Sequence, residues 1–436
     1  MNKMSLKCKR NRHVQCNLKL RSVFQYFFII CIILNFRSLW LHTETFSWMA
    51  RFVKVLLGVS VIGGILCSKL YSAKRIFQCL VAILGIVLYV GFWYLVDPLK
   101  KGGFLAILLQ LLAIVTYSIL VEDSIDNTLH KFTNIVLVIA LISLFFWLFG
   151  SLLKFIKPTG YIYTTWTSNS GTLKQVSSYY GIYFETQSLT FLGLTSNVIL
   201  RNTAIFTEAP MASLVFFISF IYELFLKERI NIYRLILLGI AVVSTISTTG
   251  YMLMIIAITL RYFFVRSKSQ KQLKIFILPA TIIVMFFILN FLLEQKLGTG
   301  SGSIRIDDFI AGYRAWINAP LFGNGYGNLE SYQKYMSSFR NNNLGISNSP
   351  MQILAFGGIY LIFPYIISIL TGFTGMIKMK RWKRLSFYLL FLCSFIITIC
   401  PFQMLTFYLF VCLVKESGKI SFFTNVRENK RGNDYR

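Results

Sequence analysis

The sequence predicts an all-α membrane protein, a bundle of about 12 transmembrane helices with two large loops on the outer side of the membrane. Of its 436 residues, 56% are hydrophobic and only 14% are charged, whereas soluble domains carry about 25% charged residues. The apolar residues form continuous runs, and many runs approach the roughly 20 residues that cross a bilayer as a helix. They do not alternate with polar residues as barrel strands do, so helices are the expected spanning elements.

The predicted spans are 23–41, 52–67, 76–96, 103–121, 132–153, 209–226, 235–247, 251–264, 275–293, 351–376, 385–400 and 402–414. They divide the chain into a basic cytoplasmic tail (1–22), spans one to five (23–153), a first outer loop (154–207), spans six to nine (208–293), a second outer loop (294–348), spans ten to twelve (349–414) and a cytoplasmic tail (415–436). Both termini are therefore expected in the cytoplasm. The first run is expected to remain as an uncleaved anchor, because no small-residue cleavage site follows it.

The formal charge of +28 comes from 44 Lys and Arg against 16 Asp and Glu. Most of the basic residues fall in the segments assigned to the cytoplasm, which is the distribution that orients membrane proteins. No basic soluble domain remains, so we expect no nucleic-acid partner. The eight Cys lie in spans or in the first tail, at spacings that predict neither disulfides in the outer loops nor a metal site. Neither a metal nor another cofactor is expected.

The second outer loop is the longest polar interval, and long loops in compact proteins are usually functional. Residues 304–317 have the period of a helix. Charged pairs flank its apolar face, Arg305 with Asp308 on one side and Asp307 with Arg314 on the other, which is typical of a helix lying in the membrane interface. The apolar face consists of Ile306, Phe309, Ile310, Tyr313, Trp316 and Ile317.

Three shorter motifs accompany this helix. Gly323 and Gly325 predict a tight turn that needs left-handed backbone. Asn348 and Gln352 lie where the loop enters span ten. The first outer loop ends in a run from Arg201 to Pro210 in which Glu208 immediately precedes span six. A carboxylate is stabilised at a helix N-terminus, so this segment alone leaves both a capping and a catalytic role open for Glu208.

Together these motifs resemble the O-antigen ligase and Wzy-type polysaccharide polymerase superfamily. That superfamily has two large outer loops, one ending in an Arg…Phe-x-Glu-Pro-like run and the other carrying Arg-x10-Gly, a Pro-x-x-Gly-x-Gly turn and a His-Asn-x-x-Leu-Gln-like helix entry. Residues 201–210 and 305–358 carry the match. Two departures are that Ala209 separates Glu208 from Pro210, and that Ser347 stands where the His is expected. The missing His favours the polymerase branch.

The resemblance implies a metal-independent glycosyltransferase of the bacterial cytoplasmic membrane. Its expected reaction joins oligosaccharide repeat units carried on undecaprenyl diphosphate into capsule, O-antigen or exopolysaccharide. The expected diphosphate ligands are Arg201, Arg305 and Arg314, because Arg contacts phosphate oxygens in pairs. The expected general base is Glu208, with Asp307 or Asp308 as second choices. The implied partners are the lipid-linked oligosaccharide, the bilayer, a chain-length regulator and a flippase.

Three other functions fit part of the pattern. A ligase of the same superfamily would transfer finished glycan to another acceptor, and a peptidoglycan polymerase of the SEDS kind is also polytopic. A flippase or transporter of lipid-linked oligosaccharide is a different class of protein. Transporters place ionisable residues inside their spans and contain repeats, whereas the charges here gather on the two outer loops.

Overall fold

The computed structural model describes residues 19–68, 72–99, 103–164, 174–190, 198–263, 300–340 and 345–418, and these are mostly helical. The predicted ninth span and most of both cytoplasmic tails lie outside the described residues. The helices are α1 (19–34), α2 (Ser47–Cys67), α3 (Ala73–Val96), α4 (Gly103–Thr116), α5 (Ile125–Phe146), α6 (Ala209–Ile221), α7 (Ile232–Ser244), α8 (Thr248–Phe263), α9 (Gly300–Asn318), α10 (Leu329–Gln333), α11 (Ser349–Lys378), α12 (Trp382–Ile397) and α13 (Met404–Lys415).

Six helical stretches in the described ranges are long and apolar enough to cross a membrane. Three of them include a π-helical last turn. Helices α7 and α13 are apolar but shorter. The multipass helical character is therefore confirmed, while the count of 12 spans stays a prediction. The six stretches are Glu44–Cys67, Ala73–Val96, Gly103–Val121, Ile125–Leu152, Ala209–Leu226 and Ser349–Lys378.

Two helices have limits that differ from the predicted spans, for local reasons. Helix α5 begins seven residues before the predicted start, because the Ser124 hydroxyl caps it by accepting from the backbone N–H of Asn127 at 3.1 Å. The first span was predicted to reach residue 41, but its helix ends at residue 34. The backbone N–H of Leu39 donates instead to the Ile205 carbonyl at 2.8 Å. The end of the first outer loop therefore replaces the helical hydrogen bonds there.

The first outer loop corrects the all-α prediction, because it folds into short antiparallel strands. One sheet has the order β1-β2-β3 and a second pairs β4 with β5. Tyr, Ile and Thr are frequent in this loop, and such residues favour pleated, half-buried surfaces. No strand is assigned to this loop from the sequence alone. The strands are β1 (Gly160–Thr164), β2 (Lys174–Tyr179), β3 (Tyr183–Phe184), β4 (Ser188–Thr190) and β5 (Val198–Leu200).

Helix α11 is broken at Gly358, where φ is 60° and ψ is −156°. The glycine turn of the second outer loop docks into this break, with Gly323 at φ 71° and Gly325 at φ 105°. A broken membrane helix needs such partners, since unsatisfied backbone groups are costly in lipid. Four backbone hydrogen bonds join the turn to the break: Asn324 N to Ala355 O, Gly325 N to Phe356 O, Ile359 N to Pro320 O and Tyr360 N to Leu321 O, at 2.9 to 3.2 Å.

Helix α6 lies at the centre of the bundle. It packs against α5, α7, α8 and α12, and 89% of the stretch Ala209–Leu226 is buried. Its side chains are apolar all round, as expected of a helix enclosed by others. Glu208 precedes this helix directly, so the carboxylate is fixed at the outer end of the best-enclosed element.

Candidate functional site

A cavity of about 570 Å³ opens at the outer ends of α6, α8 and α12, beneath the second outer loop. The charged residues that line it, within the described ranges, are Arg37, Glu208 and Arg305. Ser347 and Gln352 line the same cavity. Three elements far apart in sequence thus contribute charge to one space: the turn after α1, the start of α6 and helix α9.

Glu208 does not cap α6 with its side chain. Its backbone has φ −144° and ψ 150°, the geometry of a cap residue, yet its carboxylate accepts no hydrogen bond from the first turn. The amide of Ala209 donates instead to the Gln187 side-chain oxygen at 3.0 Å. Gln187 therefore supplies the acceptor at this helix start, and Glu208 lines the cavity wall.

Arg37 is a cavity residue that the sequence analysis did not assign to the site. Its φ of 52° lies in the left-handed region, which is uncommon for residues other than Gly and often marks functional sites. Its carbonyl accepts from the Thr207 amide at 3.0 Å, which holds it beside Glu208. Burial lowers the pKa of the Arg37 guanidinium, and the Glu208 carboxylate opposes that shift. One feature of the sequence could have identified Arg37: it is an arginine at the predicted outer end of a span, where the usual charge distribution disfavours basic residues.

Arg305 and Arg201 approach the same carboxylate region from the two outer loops. The Arg305 guanidinium donates to the Thr249 hydroxyl at 3.2 Å, and burial lowers its pKa while Asp308 opposes the shift. Arg201 donates to the Thr245 carbonyl at 2.9 Å. Burial lowers the pKa of Arg201 to about 10, against the attraction of Glu208. At neutral pH Arg201 therefore remains a cation.

Asp307 and Asp308 are buried, whereas the sequence analysis places them at the charged edges of an interfacial helix. Their exposed fractions are 5% and 0%, and both pair with the Arg340 guanidinium, at 3.3 and 2.7 Å. Asp308 also accepts from the Ser347 amide at 2.9 Å. Because Ser347 lines the cavity, Asp308 is placed to fix the cavity wall. The pairing was invisible in sequence, since Arg340 lies more than 30 positions away.

The remaining predicted site residues occupy different places. Arg314 is exposed and does not line the cavity. It follows Arg305 by nine residues, and at roughly 100° per residue this places the two side chains on opposite faces of α9. Asn348 caps α11 by accepting from the Met351 amide at 3.1 Å. Its buried side-chain nitrogen has no hydrogen-bond partner within the described residues. The apolar face of α9 points outward, with Ile306, Phe309, Ile310, Tyr313 and Ile317 between 41% and 54% exposed.

Below the charged residues the cavity lining is mostly apolar, although Ser213 and Ser394 also line it. Met211, Leu214 and Phe217 line it along successive turns of α6, a distance of about 9 Å at 1.5 Å per residue. Leu253 and Ile397 face them from α8 and α12. The cavity therefore offers cations and one carboxylate at its outer end, and hydrocarbon below. This arrangement suits an amphiphile with an anionic headgroup.

No family model, no curated protein and no solved structure matches this chain.

Proposed function

We propose that this chain is a polysaccharide polymerase of the bacterial cytoplasmic membrane, which joins undecaprenyl-diphosphate-linked oligosaccharides on the outer side. The supporting observation is that Arg37, Arg305 and Glu208 line one cavity whose remaining lining is mostly apolar. A lipid diphosphate has the matching chemistry, since its headgroup needs cations and its chain needs hydrocarbon. Arg provides paired hydrogen bonds to phosphate oxygens.

In the proposed reaction, Glu208 accepts the proton of the acceptor sugar hydroxyl. That oxygen forms a bond to the anomeric carbon of the donor glycan, while the bond between this carbon and the diphosphate oxygen breaks. The polyprenyl diphosphate leaves with both electrons of that bond, and Arg37 and Arg305 stabilise its negative charge. The glycan is then one unit longer on the acceptor lipid, and Glu208 returns its proton to water before the next cycle.

Ser347 supports polymerase over ligase. It occupies the position at which the resembling ligases are expected to carry His, and its hydroxyl donates to Asp308. A serine hydroxyl does not take up a proton near neutral pH, whereas an imidazole does, so Ser347 cannot replace a histidine as general base. Glu208 is therefore the better general base in this cavity.

The decisive experiment compares Glu208→Gln with Glu330→Gln, an exposed carboxylate of the second outer loop that does not line the cavity. Purified protein is given lipid-linked repeat units, and product length is read on a gel. Glu208→Gln should reduce chain growth by roughly 10²- to 10⁴-fold, the usual contribution of a general base. Glu330→Gln should retain wild-type growth, and both variants should reach wild-type levels in the membrane.

Wild-type polymer from Glu208→Gln would remove this carboxylate from the chemistry. If wild-type protein produced no polymer but moved lipid-linked units across vesicles, the flippase alternative would replace the proposal. Transfer of intact chains to a second acceptor, with no increase in length, would favour the ligase instead.

A further inference from the structure

A second cavity, of about 360 Å³, lies inside the bundle between α3, α4, α11 and α13. It follows α3 from Ala82 to Trp93, which is about 16 Å at 1.5 Å per residue. Gly85 and Pro364 line it and are exposed on the side of the bundle. The cavity therefore opens sideways, between two helices that are each long enough to cross the membrane, and a hydrocarbon chain enters it without passing through water.

One polar atom in this cavity lacks a partner. Trp93 lines the cavity and is fully buried, and its indole N–H donates to no acceptor within the described residues. The rings of Phe104 and Tyr326 pack against it, with centroids 4.5 and 5.7 Å away. A buried donor without a partner is costly. Trp93 lies within one turn of the outer end of α3, where the polar part of a lipid begins.

The other polar side chains of the cavity are satisfied. The hydroxyls of Tyr89, Tyr365 and Ser368 donate to backbone carbonyls. No charged side chain lines the cavity among the described residues. A ligand that fits therefore has a long apolar chain and one neutral acceptor near its outer end. An ester of a fatty acyl chain has this chemistry, whereas the first oxygens of a polyprenyl diphosphate are anionic and call for a cation.

We propose that this cavity binds an acyl chain of a glycerophospholipid, with its ester oxygen accepting the Trp93 N–H. The site is separate from the charged cavity and does not depend on the polymerase reaction. It makes one membrane lipid a stable part of the fold, packed between α3 and α11.

Two glycines of α3 provide a matched test. A Cβ atom at Gly85 or at Gly91 would meet nothing within 4 Å, but only Gly85 lines the cavity. The full-length protein is purified in detergent, mixed with synthetic phosphatidylethanolamine and examined by native mass spectrometry. Wild type and Gly91→Phe should retain one phospholipid, and Gly85→Phe should lose it. Trp93→Phe should retain it with about 2- to 10-fold lower affinity, the contribution of one neutral hydrogen bond.

Equal retention by Gly85→Phe and Gly91→Phe would overturn the proposal, and so would wild-type affinity in Trp93→Phe. Preferential retention of undecaprenyl phosphate over phosphatidylethanolamine by the wild type would also overturn it. Since the readout is bound lipid, failure of the proposed glycan chemistry would leave this result unaffected.

Discussion

Glu208 and Arg37 are brought together by backbone hydrogen bonds between neighbouring residues: the Thr207 amide donates to the Arg37 carbonyl and the Leu39 amide donates to the Ile205 carbonyl. Arg37 adopts positive φ there, which costs a residue with a side chain roughly 1 to 2 kcal/mol. The Arg37 guanidinium is half-buried beside the Glu208 carboxylate. Strain of this kind, held at a charged cavity, is how proteins position catalytic groups.

Arg37→Lys and Arg305→Lys should each slow chain growth by roughly 10- to 150-fold, because a hydrogen bond to a charged group is worth about 1.5 to 3 kcal/mol. Lysine retains the charge but loses the planar pair of donors. The matched control is Arg314→Lys, on the exposed side of α9, which should behave as wild type. Initial rates with lipid-linked repeat units measure the difference. Equal losses of rate in all three variants would show that lining the cavity does not distinguish the arginines that bind phosphate from one that does not.

Arg340→Met should destabilise the protein by roughly 3 to 5 kcal/mol, since it leaves Asp307 and Asp308 as buried, unpaired carboxylates. Burial raises the pKa of Asp308, and Arg340 opposes that shift. A carboxyl whose folded-state pKa is raised stabilises the fold below its unfolded-state pKa, and that contribution is lost as pH rises through the folded-state value. The deficit of Arg340→Met should therefore be larger at pH 8 than at pH 5. Thermal unfolding in detergent, with Arg314→Met as the exposed control, measures this; a pH-independent deficit would contradict it.

Among the elements, the break in α11 and the glycine turn are one unit. The turn supplies hydrogen bonds to both sides of Gly358, and a Cβ at Gly323 would lie 2.4 Å from the Gly357 amide nitrogen. The backbone of the glycine turn is therefore in direct contact with the backbone of α11. Since Asn348 caps α11 and Gln352 of this helix lines the cavity, this contact fixes the second outer loop against the charged cavity.

Gly323→Ala should be more damaging than Gly327→Ala. Both glycines have positive φ, 71° and 73°, but a Cβ at Gly327 meets nothing within 4 Å. Gly327→Ala should therefore cost only the backbone strain, roughly 1 to 2 kcal/mol. Gly323→Ala should cost roughly 1 to 3 kcal/mol more, as overpacking does. Thermal unfolding of both variants tests this, and equal losses would mean that the turn moves away from α11 without penalty.

At the scale of the whole molecule, the two outer loops must face the same compartment. The cavity is lined by residues of the second outer loop, by Glu208 directly after the first outer loop and by Arg37 in the turn after α1, so a topology that separated these segments would dismantle it. The charge distribution predicts that this side is the outer one. The substrate of the proposed reaction is presented there.

Labelling of single introduced cysteines tests this topology. Tyr180→Cys and Glu330→Cys replace exposed residues of the two outer loops, and Arg229→Cys replaces an exposed residue after α6. A membrane-impermeant maleimide should label the first two in intact cells, and the third only after permeabilisation. The parent chain with its eight cysteines gives the background. Labelling of Arg229→Cys in intact cells, with Glu330→Cys protected, would invert the orientation and remove the proposed substrate from reach.

The sequence by itself determined the class of fold and most of the helix positions. Runs of apolar residues about 20 long have one solution in lipid, since only a helix satisfies all its backbone groups within one segment. The predicted limits of the stretches Gly103–Val121 and Ala209–Leu226 agree with the structure for this reason. The helical period also identified the loop helix as amphipathic.

Only the tertiary structure decided which charges meet. Periodicity places Arg305 and Arg314 on opposite sides of α9, but it does not say which side faces the cavity. Arg37 lies near Glu208 although about 170 positions separate them, through the pairing of Leu39 with Ile205, and Arg340 pairs with Asp307 and Asp308 from more than 30 positions away. The strands of the first loop likewise depend on partners elsewhere in the chain. All of these contacts join segments that lie far apart in the sequence. The local pattern of one segment does not indicate which distant segment it contacts.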